Sequence, residues 1–198
     1  MKIPSYRRAS GFTLVELLVV IAIIAVLASA GFAAGNAAIQ KARKVTALAS
    51  ATAIETAVTN FFTEYGSMPY EGSQDVTVET DSADGKKLLT VLLGFEGTSG
   101  TVLNTRGIKL LSAREGKNKK NGLIYSTDGK SVDGLYDPWG GGFKVRLDLD
   151  YDEKIEVKPK AASGSKTLNG RRVAVWSDGA DGVKSGSKGN STDDVLTW

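Results

Sequence analysis

The chain contains no cysteine and no histidine in 198 residues. The first absence removes any disulfide framework, and the two together remove the usual ligands of zinc, copper and haem, so a metal here has to be a hard cation held by oxygen. Neither a Gly-x-Ser-x-Gly elbow nor a Gly-rich phosphate-binding loop is present. An enzyme built on this chain would have to rely on acidic residues alone. Net charge is scarce too: the formal value is +3, and Lys2, Arg7 and Arg8, within a first stretch that holds no acidic residue, account for all of it. The remainder is neutral, bulk charge offers nothing to nucleic acid, and no nucleic-acid partner is expected. Proline is missing between Pro4 and Pro69, and charge is missing altogether from Leu17 to Gln40. At 1.5 Å rise per residue, that charge-free run covers about 36 Å as a helix, more than the hydrocarbon core of about 30 Å.

What is present at the head of that run is Gly11-Phe12-Thr13-Leu14-Val15-Glu16, which leaves one carboxylate at the start of a membrane-length apolar segment. A charged side chain costs roughly 2.5 to 3.5 kcal/mol at the centre of a spanning helix and less near its end. Glu16 is therefore expected to need a partner that its own helix does not supply. Lys2, Arg7 and Arg8 before the run place its N-terminus on the cytoplasmic side and whatever follows across the membrane. A secretory signal peptide is the alternative reading, with Ala28-Ser29-Ala30 as the cleavage site, although its apolar region would be only about 7 to 15 residues. Gly31-Phe32-Ala33-Ala34-Gly35 has the small-xxx-small spacing that allows close helix approach in lipid, or serves simply as packing glycine.

Basic leader, Gly, Phe-Thr-Leu-Val-Glu and apolar helix together resemble the class III signal of type IV pilins and pseudopilins. The resemblance implies a prepilin peptidase that cuts after Gly11 and methylates the new N-terminal Phe12, with Glu16 as the assembly glutamate. It also implies that the acid of one subunit pairs with the Phe12 amine of a neighbouring copy. Many members carry a proline where this chain has Ala33.

Beyond Gln40 the pattern turns amphipathic, with Val45, Leu48, Ala51, Ile54, Val58, Phe61, Phe62 and Tyr65 returning every three or four residues. Gly66 is the expected stop, so one helix is predicted from about Phe12 to Tyr65. Residues 1–11 then form the leader, 12–40 the membrane and assembly helix, and 41–198 the head, with 41–65 as its helical spine. Within 66–136, loop markers precede a short helix over Lys86–Leu93 that ends at Gly94, and Glu115 to Gly122 reads as a basic surface loop. Over 137–198 the clearest signal follows Asp137-Pro138-Trp139-Gly140. There Phe143, Val145, Leu147, Leu149 and Tyr151 alternate with Lys144, Arg146, Asp148 and Asp150 as one long strand. Lys154 to Lys158 and Arg171 to Trp176 supply two more strands around a flexible loop from Ala161 to Gly170. The predicted class is α+β, a long N-terminal helix on a small antiparallel sheet of about three strands.

Asp148-Leu149-Asp150-Tyr151-Asp152 invites an EF-hand reading that fails, because Glu153 stands where the loop needs Gly and Pro159 where it needs Glu. Strand alternation accounts for these aspartates instead. The C-terminal segment, Ser177-Asp178-Gly179-Ala180-Asp181-Gly182 and then Thr192-Asp193-Asp194, gathers four carboxylates around a Gly-rich loop, a plausible oxygen cage for a hard cation. Asp-Pro-Trp-Gly, Gly-Ala-Asp-Gly and a closing Asp-x-x-x-Trp resemble the major pseudopilins (protein G) of type II secretion systems. In those proteins the final loop binds calcium, and the resemblance implies Asp181 and Asp194 as first ligands, with Asp193 or Asp178 compensating for Thr192. Lys184 and Lys188 in the same loop depart from that pattern.

Three function classes remain. The first is a structural subunit of a periplasmic secretion fibre, anchored in the bacterial inner membrane. Its implied partners are further copies of itself, minor pseudopilins, the prepilin peptidase and an inner-membrane assembly platform. The second is a type IV pilin or minor pilin of a surface fibre, and the third is a membrane-anchored enzyme.

Overall fold

The computed structural model describes residues 11–97, 101–126, 131–158, 164–182 and 194–198. It divides into two compact units, Met1–Lys41 and Ala42–Trp198. A single helix, α1 (Leu14–Tyr65), supplies the described helical part of the first and opens the second. In the first unit the large apolar side chains are exposed from Phe12 to Phe32 and again at Ile39. In the second, α1 ends where the sequence predicts, with Gly66 at φ 69° and its N–H on the Phe62 carbonyl.

The buried stripe of α1 is Ala47, Ala51, Ile54, Ala57, Val58 and Phe61. Two residues of the predicted stripe face outward, Val45 at 62 % and Leu48 at 43 % exposure. Alanine carries the seam at its upper end, so the apolar face is rotated from where the larger side chains alone place it. Phe61 is fully buried, whereas Phe62 stacks 6.2 Å from the Tyr151 ring and carries the Arg172 guanidinium 4.6 Å over its own.

The main sheet has four antiparallel strands in the order β1 (Val76–Glu79), β4 (Lys144–Leu147), β7 (Val173–Ser177) and β8 (Val195–Leu196). The expected α+β class, a long N-terminal helix with a small antiparallel sheet, is what the structure shows, and the strands that make up the sheet differ from the expected ones in two respects. β1, in a stretch read as loop, pairs along β4 from Val76 opposite Leu147 to Glu79 opposite Lys144. The segment Lys154–Val157 (β5) does not join this sheet but pairs with Lys166–Asn169 (β6), four residues of the presumed flexible loop. β7 is buried on both faces, which is why Val-Ala-Val-Trp reads as a continuous apolar run and not as an alternation. Val173 and Val175 join the core that contains α1, while Ala174 and Trp176 pack with Ile155, Val157 and Leu168 of the β5–β6 hairpin.

The predicted short helix is α2 (Ala83–Leu93), three residues longer than read because Ser82 caps it: its hydroxyl accepts the Gly85 N–H at 3.0 Å. Gly94 closes it in the left-handed region at φ 70°, where a Cβ would lie 2.6 Å from the Gly107 carbonyl oxygen. Residues 66–136 also contain a hairpin absent from the reading, β2 (Gly122–Tyr125) with β3 (Val132–Tyr136). A four-residue helix, α3 (Gly179–Gly182), follows β7.

Candidate processing and assembly site

The helix begins only at Leu14, so Gly11, Phe12 and Thr13 form an exposed, non-helical lead-in, with Phe12 at 79 % exposure. A peptide bond between Gly11 and Phe12 is therefore free of helical hydrogen bonding and open to a protease. The leader residues Lys2, Arg7 and Arg8 lie outside the described residues.

Glu16 does find donors on its own chain. Its Oε2 accepts the Thr13 backbone N–H at 2.8 Å and the Thr13 hydroxyl at 2.7 Å, while Thr13 Oγ1 accepts the Glu16 N–H at 3.2 Å. With Thr13 immediately before the helix and Glu16 three residues on, this is a capping box. Thr13 thus gives Glu16 hydrogen bonds at the helix start, and the partner expected from outside its own helix is a counter-charge. Among the described residues, none forms a salt bridge with Glu16. Thr13-x-x-Glu16 is a recognisable signature, missed because the surrounding apolar run had already been read as a membrane segment.

Among the described residues of the first unit, the large apolar side chains from Leu14 onward are exposed. Contiguous exposure on this scale marks a membrane or a protein partner. The helix is long and apolar enough to cross a membrane and lies near the N-terminus, consistent with an anchor in the inner membrane.

Residues 6–32 match the prokaryotic N-terminal methylation motif. The match supports a type IV pilin-like N-terminus, and it implies processing by a prepilin peptidase and polymerisation into fibres. Such proteins are generally structural, not enzymatic. The motif contains Gly11, Phe12 and Glu16 and ends at Phe32, before the head. No curated protein and no solved structure matches the chain.

The four carboxylates assigned to the C-terminal cation fare unevenly. Asp193 lies outside the described residues, as do Lys184, Lys188, Thr192 and the side chain of Asp181. β7 and β8 pair with Trp176 opposite Leu196 and Ser177 opposite Val195, so one further step in register sets Asp178 against Asp194. That juxtaposition suits a shared cation. Against it, Asp178 Oδ2 is held by the Lys144 ammonium at 2.5 Å, which competes for one oxygen of the cage.

Asp137, in the sequence reading the opening of the Asp-Pro-Trp-Gly motif before the sheet, anchors the approach to this loop. Its Oδ1 accepts the N–H groups of Trp139, Gly140 and Gly141 at 2.9, 2.7 and 2.9 Å, and its Oδ2 the Ser177 hydroxyl at 2.6 Å. Burial pushes the Asp137 carboxyl above its ordinary pKa against the pull of these donors. Asp-Pro-Trp-Gly is therefore a folded clasp on the end of β7.

Proposed function

We propose that the chain is a structural subunit of a type II secretion pseudopilus, assembling through its N-terminal helix into a periplasmic fibre that drives proteins across the outer membrane. The observation that carries the fibre reading is the exposed apolar helix headed by Gly11-Phe12 and by a glutamate that accepts hydrogen bonds from Thr13 and has no salt bridge among the described residues. After cleavage, the Phe12 amine of an adjoining subunit supplies that charge. Thr13 holds Glu16 at the helix start, and the incoming amine converts a capped but unneutralised acid into an ion pair. Loss of one partner from a buried pair typically costs about 3 to 5 kcal/mol, enough to decide between fibre and free subunit. Lateral packing of the apolar helices supplies the bulk of cohesion and Glu16 sets register.

Assignment to secretion is supported by Asp137-Pro138-Trp139-Gly140, Gly179-Ala180-Asp181-Gly182 and the closing Asp194 to Trp198. On this reading the last loop holds calcium through Asp181 and Asp194, with Asp193 and Asp178 in reserve. Minor pseudopilins and the inner-membrane platform are its partners, and the head is periplasmic. A surface type IV pilin shares the same N-terminal physics, and the region that favours it is the added α2 and β2–β3 hairpin of the head. Cross-linking of subunits in membranes tests the fibre: Glu16→Ala is expected to be excluded, and incorporation equal to wild type overturns the pairing. Secretin genes beside this one favour the pseudopilus, twitching or adhesion genes the pilus.

A further inference from the structure

The aspartates after β4 do not all face solvent as an alternation requires. β4 stops at Leu147, and Asp148 is fully buried instead of projecting outward. Because β1 and β4 end with Val76 opposite Leu147, the next step of the register brings Asp75 against Asp148, two like charges facing across a strand pair. Asp150 joins them from the turn, and one carboxylate oxygen from each of the three lies within 4.8 Å of the others.

Hydrogen bonding accounts for only part of this charge. Asp75 Oδ1 accepts the Leu149 N–H at 3.1 Å and its Oδ2 meets Arg146 Nη2 at 3.4 Å. Asp150 Oδ1 accepts the Asp152 N–H at 3.2 Å. Asp148 Oδ2 accepts the Glu153 N–H at 3.1 Å, while Asp148 Oδ1 is buried with no hydrogen-bond donor among the described residues. The Arg146 guanidinium pairs with Asp75, and among the described residues neither Asp148 nor Asp150 has a salt-bridge partner, which leaves two carboxylates around a buried, undonated oxygen.

We propose that Asp75, Asp148 and Asp150 hold a divalent cation of the calcium type, with Asp148 as the buried ligand and Asp150 at the solvent entrance. Two positive charges neutralise the excess left by Arg146. Calcium is favoured over magnesium because it accepts irregular oxygen cages of six to eight ligands, completed here by carbonyls and water. The three residues come from two distant segments, so no contiguous loop motif announces the site. It is separate from the C-terminal loop and does not rest on the fibre reading. A cation there would tie the end of the β1–β4 pair to the turn whose Tyr151 hydroxyl accepts the Met68 N–H at 3.2 Å, just beyond α1.

The test uses the full-length protein in detergent, carrying Asp178→Asn, Asp181→Asn, Asp193→Asn and Asp194→Asn so that every carboxylate assigned to the C-terminal loop is silenced. Calcium titration by calorimetry, with terbium luminescence excited through tyrosine as a second readout, is expected to show binding that survives in this background. Adding Asp150→Asn, an exposed change, is expected to weaken it about tenfold, in line with the dependence of calcium sites on ligand charge. Asp148→Asn is expected to abolish the calcium-induced rise in melting temperature while leaving the melt in chelator no lower than its parent, a pattern that a purely structural aspartate does not produce. Absence of binding in the silenced background, or binding that Asp150→Asn leaves unchanged, overturns the site and leaves Asp148 and Asp150 sharing a proton.

Discussion

One helix passes through two environments. Up to Lys41 its leucines, isoleucines and valines are bare; beyond Ala42 its buried face is narrower and built largely of alanine, with Ile54, Val58 and Phe61 as the large members. The richer apolar stretch is thus the one with no core to enter. Hydrophobicity alone says that a segment leaves water; the period and the side-chain size say where it goes. A helix that is apolar all round suits lipid or a bundle of its own kind, while small side chains on one face let a sheet approach.

That contrast can be broken most completely at Gly11. A bulky replacement such as Gly11→Val is expected to block cleavage almost entirely, leaving an anchored, unassembled precursor visible as a slower band, with the melt of the head unchanged. Next in size are matched truncations along α1. Ile54→Ala is expected to destabilise the head by about 2 to 5 kcal/mol in denaturant, because it empties a fully buried site, whereas Ile21→Ala leaves that transition within about 0.5 kcal/mol. Equal effects at the two positions would erase the distinction. Thr13→Val is expected to cost about 1 kcal/mol at the helix start and Thr13→Ser to restore it, read as fibre yield relative to wild type.

The smallest effect concerns pH. Asp137 has a folded-state pKa raised by burial, so its contribution to stability is present in full below its unfolded value of about 3.9 and is lost as pH rises through the folded value. Asp137→Asn is expected to flatten that fall, seen as a smaller loss of melting temperature from mildly acid to neutral buffer.

Much of this was legible in the residues. Gly66 and Gly94 end their helices as read, and Gly11, Phe12 and Glu16 were placed by a pattern that the N-terminal motif contains. The strands that lie against each other, β4 and β7, were both visible, one by alternation and one by an unbroken apolar run. What stayed hidden depended on partners distant in sequence. Val76–Glu79 has too few residues to show a period, and β6 sits in a Gly- and Ser-rich stretch that takes strand form only against β5. Asp148 continued an apparent alternation past the point where the strand ends, so its burial could not be inferred from spacing. Alanine at 47, 51 and 57 is too weakly apolar to outvote Val45 and Leu48 in a periodicity count. The C-terminal carboxylates Asp181 and Asp193 are placed by resemblance, and calcium there remains part of the proposal.

The most direct test is the mass and N-terminal sequence of the protein isolated from membranes. A chain beginning at N-methylated Phe12 is expected, because the proposal gives that amine the task of neutralising Glu16 in the next subunit. An intact leader, or a chain trimmed after Ala30, would contradict the account.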